Sequence, residues 1–193
     1  MTRNIIVNIG IFTLIIGCMH TPKEMTEAEK SSYLTLGDSL SAYTQQMLLK
    51  NLIHAIEERG TAGAVTFCSE SAIPLTNKAS ETHHVQIQRL SNKIRNPDNA
   101  LSTQTDRKAW DEINLLMQDK GINPKHWVGK DGDAVYYYKA IPLGMPTCLS
   151  CHGNKDTAVE PETLQAISMR YPHDKATGYE MGQLRGIWKV QLK

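Results

Sequence analysis

Lys130-Asp131-Gly132-Asp133-Ala134-Val135-Tyr136-Tyr137-Tyr138-Lys139-Ala140-Ile141-Pro142-Leu143 is the stretch from which the fold can be read. Lys130–Asp133 is a hairpin-turn signal, because Asp-Gly takes the positive φ of a tight turn with little strain. The run 134–143 behind it reads as a strand, with Tyr136, Tyr137 and Tyr138 as ordinary strand residues. Toward the C-terminus, Leu184, Gly186, Trp188 and Val190 alternate with Arg185, Ile187 and Lys189, which predicts a closing strand over 184–192. Upstream, Val85, Ile87 and Arg89 share one face of an alternating run, which predicts a strand over 84–94, and Arg95-Asn96-Pro97-Asp98-Asn99 is a turn signal.

The strands are preceded by helical periodicity. Leu36, Leu40, Tyr43 and Met47 recur at steps of three and four, and Leu48, Leu49, Leu52, Ile53 and Ile56 continue the apolar stripe. This predicts a helix over 26–59, with Gly37 its weak point and Gly60 its stop. A second helix is expected over 62–80, bent or restarted at Pro74. A third is expected over 105–119, with Trp110, Ile113, Leu116 and Met117 on one face and Thr105 or Asp106 as cap. A short one is expected over 162–169. Helices first, then strands paired through turns, predict an α+β fold with an antiparallel sheet. The 193 residues suit one domain with a true core, to which Trp110, Trp127 and Trp188 are assigned. The formal charge of +1 provides no long-range field for nucleic acid, which is not expected as a partner.

Residues 1–17 are set apart from the fold. Arg3 precedes an apolar run, Ile5 to Ile16, too short to span a bilayer but of the length of a secretory core segment. The run ends Ile15-Ile16-Gly17-Cys18, which resembles a bacterial lipobox. A lipoprotein signal peptide over 1–17 is therefore expected, with lipid on Cys18, a polar tether over 18–30 and one domain over 31–193. An ordinary signal peptide with a chance cysteine is the plainer alternative. With no Asp after Cys18, the expected place is the periplasmic side of the bacterial envelope, the outer membrane rather than the inner, with the lipid as membrane contact.

The chemistry lies in Cys148-Leu149-Ser150-Cys151-His152, the C-x-x-C-H attachment motif of c-type haem. Two thiols at this spacing reach the two vinyl groups, and the following histidine supplies the proximal imidazole. In a 193-residue chain with 4 cysteines and 7 histidines, chance matches number on the order of 0.003, so the motif is specific. Two other readings stand beside it. C-x-x-C alone can be a thiol–disulfide motif near a βαβ unit, and Cys68, Cys148, Cys151 and His152 can be written as a Cys₃His zinc set. Cysteine parity favours one covalent haem c. Cys18 goes to lipid, Cys148 and Cys151 to haem, and Cys68 is left over, either as a small buried hydrophobe or as a metal ligand.

Four separated stretches carry a family resemblance. Ala64-Val65-Thr66-Phe67-Cys68-Ser69-Glu70-Ser71-Ala72-Ile73-Pro74 is an apolar helix with one cysteine. Lys93-Ile94-Arg95-Asn96-Pro97-Asp98-Asn99 contains an R-N-P-x-N turn, and Cys148 to Gly153 reads C-x-x-C-H-G. Tyr171-Pro172-His173-Asp174-Lys175-Ala176-Thr177-Gly178-Tyr179, followed by Gly182, Arg185 and Gly186, completes the series. In this order they resemble the PAS-like c-type haem domain family, over about residues 36–192. The resemblance implies one haem, a PAS-like antiparallel sheet preceded by long N-terminal helices, Cys68 opposite His152 as axial ligand, and a sensing or electron-transfer role.

Competing axial candidates are Met47, His54, His83, His84 and His126, most of which read as ordinary surface or core residues. Arg95 and Arg185 are candidates for haem propionate contacts, since guanidinium matches carboxylate bidentately. For Arg185 a solvent-facing strand position is the equal alternative. Beyond the haem no catalytic constellation is visible, so an enzyme is not expected. Two roles follow: a haem-based redox or small-ligand sensor, responding to NO or CO, or an electron carrier of the envelope. No kinase, cyclase or receiver segment follows, so a sensor is expected to act through a separate redox or signalling protein.

Overall fold

The computed structural model describes residues 24–119 and 125–193. The expected leader over 1–17 and the lipidation site Cys18 lie outside these residues. Of the tether expected over 18–30, residues 27–30 are already helical.

Helix α1, Glu27–His83, begins at a capping box. Thr26 Oγ1 accepts from Glu29 N–H at 3.2 Å, and the Glu29 carboxylate accepts from Thr26 N–H at 2.8 Å. The helix is two arms, 27–59 and 61–83, broken at Gly60, whose φ of 66° and ψ of 179° are open essentially to glycine alone. The second arm returns along the first. The Tyr43 and His83 rings meet edge to face at 4.8 Å, and Leu40 and Ala79 share one core cluster. The break expected at Gly60 is therefore a reversal. The second arm stays helical through Pro74 to His83.

Strand β1 is Gln86–Leu90, shorter than the run expected over 84–94. His84 is the left-handed C-cap of α1 (φ 54°, ψ 37°), which removes the first residues from the ladder, and the chain turns away after Leu90. A single 3₁₀ turn over Pro97–Asn99 follows, with Asn96 Oδ1 accepting from Asp98 N–H at 3.0 Å. Helix α2 is Gln104–Leu116, and its cap is Thr103, not Thr105 or Asp106. Asp106 is instead the reciprocal member of that capping box. Strands β2 (His126–Asp131) and β3 (Ala134–Pro142) form the expected hairpin, with Gly132 at a φ of 58°. Two short helices, α3 (Pro146–His152) and α4 (Pro161–Arg170), precede β4 (Leu184–Gln191).

The strands form one antiparallel sheet in the order β1-β4-β3-β2. The last strand therefore lies in the centre, between the first and the hairpin. One face carries Ile87, Val128, Val135, Tyr137, Trp188 and Val190 and packs on α1. The other carries Leu90, Tyr138 and Ile187 and packs on Ala109 and Ile113 of α2, with Trp110 and Trp127 partly buried at its edge. The fold is α+β, a helical hairpin and an antiparallel sheet with one helix on its far face.

Each face holds a tyrosine–aspartate–lysine group. Asp106, fully buried, accepts from Tyr138 OH at 2.8 Å and pairs with Lys189 Nζ at 2.7 Å. On the α1 face Asp38 accepts from Tyr137 OH at 2.9 Å and pairs with Lys139 at 2.8 Å. These bonds satisfy the buried phenols and tie each helix to the strand below it.

Candidate functional site

The C-x-x-C-H residues form most of α3, a seven-residue helix with Pro146 in its first turn. Pro preset for the helix start and the backbone bond from Gly153 N–H to Leu149 O (2.8 Å) bound it on both sides. A Cβ on Gly153 would fall 2.7 Å from that carbonyl and 2.8 Å from Ala158 Cβ, so glycine is required after His152. Cys148 packs with Leu143, Ala176 and Tyr179, and Cys151 with Val65, Val159 and Ile167. Cys68, Cys148 and Cys151 are all free thiols.

The C-terminal loop 171–179 closes over the end of α3. Tyr179 N–H donates to His152 O at 2.9 Å and Gly178 N–H to Gly153 O at 2.8 Å. The side chain of His152 is held as firmly. Its Nδ1 lies 2.7 Å from Ala176 O, an oxygen that can only accept, so Nδ1 carries the proton and Nε2 keeps its lone pair. Arg185 Nε also lies 3.3 Å from Nδ1. Both atoms then bear hydrogens, so this approach is packing of a charge, not a bond. Burial, then the Arg185 and Arg95 charges, push His152 well below the usual histidine range, which keeps the ring neutral.

Arg95 joins three of the sequence motifs. Its Nε donates to Asp174 Oδ1 at 3.0 Å and its Nη2 to Cys151 O at 2.7 Å. Arg185 Nη1 donates to Ser91 Oγ at 2.9 Å and reaches Lys93 O at 3.4 Å. Arg185 is thus turned toward the motif end of the sheet and is not simply a solvent-facing strand residue. Both arginines expected near a propionate stand beside His152, and both are already engaged by the protein.

The second arm of α1 brings Cys68 to the same place. Val65, one turn before it, is buried against the Cys151 cluster, so Cys68 shares that face. Burial pushes the Cys68 thiol up, against the pull of Arg89 and Arg95. Burial likewise raises Cys151, against the pull of Arg95, and Cys68 is among its neighbours. The competing candidates lie elsewhere. His54 is exposed on α1 and 3.4 Å from Glu58. His83 packs on Tyr43 and His126 on Tyr137, His84 is the exposed cap of α1, and Met47 packs on the α1-side core.

Arg89 is the residue that sequence reasoning missed. It sits half-buried on β1, and its electrostatic neighbours are Cys68, Tyr171 and Arg95. Among the described residues its guanidinium makes no hydrogen bond or ion pair. The signal was present: in an alternating strand Arg89 shares the inward face of Ile87, where a charge needs a partner. Asp174 and Ala176 were quoted only as parts of a motif, because a backbone acceptor and a bridging carboxylate leave no mark in composition.

The geometry bears on the other two readings of the cysteines. α3 follows a strand of an antiparallel sheet, not a βαβ unit. Among the described residues no three Cys, His, Asp or Glu side chains are grouped to hold a metal ion, so the Cys₃His set is not assembled. The donor set suits a haem instead: two free thiols on one short helix, an adjoining neutral imidazole with an open Nε2, and a rim of three arginines.

Comparison with known proteins gives the same direction. No curated protein matches the chain. The crystal structure of the cyanobacterial heme-protein Tll0287 has a similar fold, with a TM-score of 0.58 over 87% of this chain and 96% of that one, at 21% identity. The Tll0287-like family model matches residues 20–192, a span that holds the cysteine helix, the R-N-P-x-N turn, α3 and the closing loop together. The chain belongs to the Tll0287-like family.

Proposed function

We propose that the chain binds one haem c, attached through Cys148 and Cys151, and works as a haem-based redox or small-ligand sensor. The observation that carries the reading is the bond from His152 Nδ1–H to Ala176 O at 2.7 Å. It fixes the tautomer that leaves Nε2 as an axial ligand. The structural relative named as a heme-protein supports the same cofactor. Bound here, a haem would supply a one-electron couple tuned by its axial ligands.

The chain's own residues have definite tasks. Val65, Val159 and Ile167 keep water from Cys151. Arg89, Arg95 and Arg185 place positive charge beside His152, which suits propionate carboxylates, and Arg89 has donors to give. Cys68 on α1 is the proposed second axial ligand. Its Sγ is protonated when free, since burial raises the thiol, and becomes a ligand by losing that proton. Ligation by Cys68 is therefore coupled to a proton and to the charge at the site, which is the property of a sensor. In this reading the protein is exported, lipidated at Cys18 and faces the periplasm, and it addresses a separate redox or signalling protein, with NO or CO as its diatomic ligand.

The test is protein matured with a cytochrome c assembly system. One added haem by intact mass, resistant to acid–acetone extraction and lost in Cys148→Ala/Cys151→Ala, is the expected result. Oxidised EPR should show a low-spin thiolate-type signal that disappears in Cys68→Ala. Haem extracted by acid–acetone would sink the covalent assignment. Rapid reduction by a quinol-linked cytochrome, with axial ligands unchanged, would favour an electron carrier of the envelope.

A further inference from the structure

The loop 171–179 has no regular secondary structure, yet it must hold one carbonyl in register with one ring nitrogen. Asp174 does this from within the loop: its Oδ1 accepts from Ala176 N–H at 3.1 Å, which holds the near side of the residue whose carbonyl oxygen, one peptide further on, meets His152. Arg95 does it from outside. Its Nε and Nη2 lie 3.0 and 3.4 Å from the two Asp174 oxygens, and Nη2 also donates to Cys151 O at 2.7 Å and stands 3.5 Å from Ala176 O. Lys175 N–H adds a bond to Ile94 O at 2.9 Å, next to Arg95 in sequence. The ion pair is buried, with side chains 13% and 6% exposed. A buried ion pair adds little stability by itself, so its value here is direction.

We propose that Arg95 and Asp174 are positioning residues for His152: together they register the Ala176 carbonyl against Nδ1 and so set the donor strength of Nε2. The proposal rests on the haem reading above. A strong Nδ1–H···O bond makes the imidazole a better donor and favours the oxidised metal. Loosening the loop lengthens that bond, makes Nε2 a poorer donor and raises the midpoint potential.

The variants are Asp174→Asn, which removes the charge and keeps the shape, and Arg95→Lys, which keeps the charge and loses the fork. In matured holoprotein both should retain haem by mass. Both should show a higher midpoint potential and faster solvent exchange of the His152 Nδ1 proton, with Arg95→Lys the milder. Wild-type potential and exchange in both, with haem attached, overturn the proposal. Loss of the fold in both overturns it too, because the pair would then be scaffold and not a tuner. If the full chain proves to bind no haem, the haem reading fails separately, and ring ¹⁵N NMR of that chain decides. Wild type should be the Nδ1–H tautomer and Asp174→Asn should shift toward Nε2–H; an unchanged tautomer overturns the positioning role.

Discussion

Asp106 shows how one residue can carry several structural tasks. It closes the cap of α2 with Thr103, accepts from Tyr138 and pairs with Lys189, all with no exposure to solvent. Burial works against its charge, but these partners win and hold its pKa at about 2. The folded value lies below the usual carboxylate value, so the native state binds fewer protons there than the unfolded chain. The stability it contributes is present above about pH 4 and is lost as pH falls toward 2, an amount on the order of 2 kcal/mol. Asp106→Asn should remove that acid-limb dependence and lower stability at neutral pH by about 3 kcal/mol, since Lys189 loses its partner. Urea denaturation at pH 7 and pH 3 checks it: equal losses at both pH values would mean that the charge plays no part. None of this was legible in the sequence, where Asp106 read only as a cap candidate. By contrast the spacing of Cys148, Cys151 and His152 stands out in the sequence at once, because it is local, whereas the partners of Asp106 come from α2, β3 and β4.

At the scale of elements, what the sequence reveals depends on local periodicity and on backbone geometry. The Gly60 break, the hairpin at Gly132 and the closing strand were all readable, since positive-φ glycines and alternation are local signals. α3 was not read as a helix: seven residues give under two turns, too few for a hydrophobic period. Both ends of β1 were overrun because its alternation continues beyond the His84 cap on one side and Ser91 on the other, where tertiary packing decides. Gly60 is the most exacting of these positions. A Cβ there meets nothing within 4 Å, so a substitution is opposed by backbone strain alone. Gly60→Ala should lower stability by about 1–3 kcal/mol through that φ/ψ combination. Thermal melts measure it, and an unchanged midpoint would show that the reversal tolerates another geometry. A chain straightened through Gly60 would part Tyr43 from His83 and carry Cys68 away from α3, so the same variant should also change the ligand field of the matured protein.

For the molecule as a whole, four stretches spread over more than a hundred residues meet at one end of the sheet. The order of strands is what makes this possible: β4 comes last in sequence and lies between β1 and β3, so Ser91, Arg185 and the α3–loop unit are brought together. That order is not written in any local pattern, and the sequence supplied the motifs without their convergence. It also means that the two proposed axial ligands belong to opposite ends of the chain, Cys68 on the helical hairpin and His152 on α3. Ligation by both would close the molecule across the site, and a thiolate ligand would favour the oxidised metal. The oxidised holoprotein should therefore unfold at a higher temperature than the reduced one. For a chain of this size each kcal/mol of ligation corresponds to about 2–4 °C. In Cys68→Ala the two midpoints should converge on that of the reduced wild type, while haem stays attached. Calorimetry on both redox states of both proteins measures the difference. A gap that persists in Cys68→Ala would assign the redox response to another group, and equal midpoints in the wild type would leave reduction without a mechanical consequence, as an electron carrier requires.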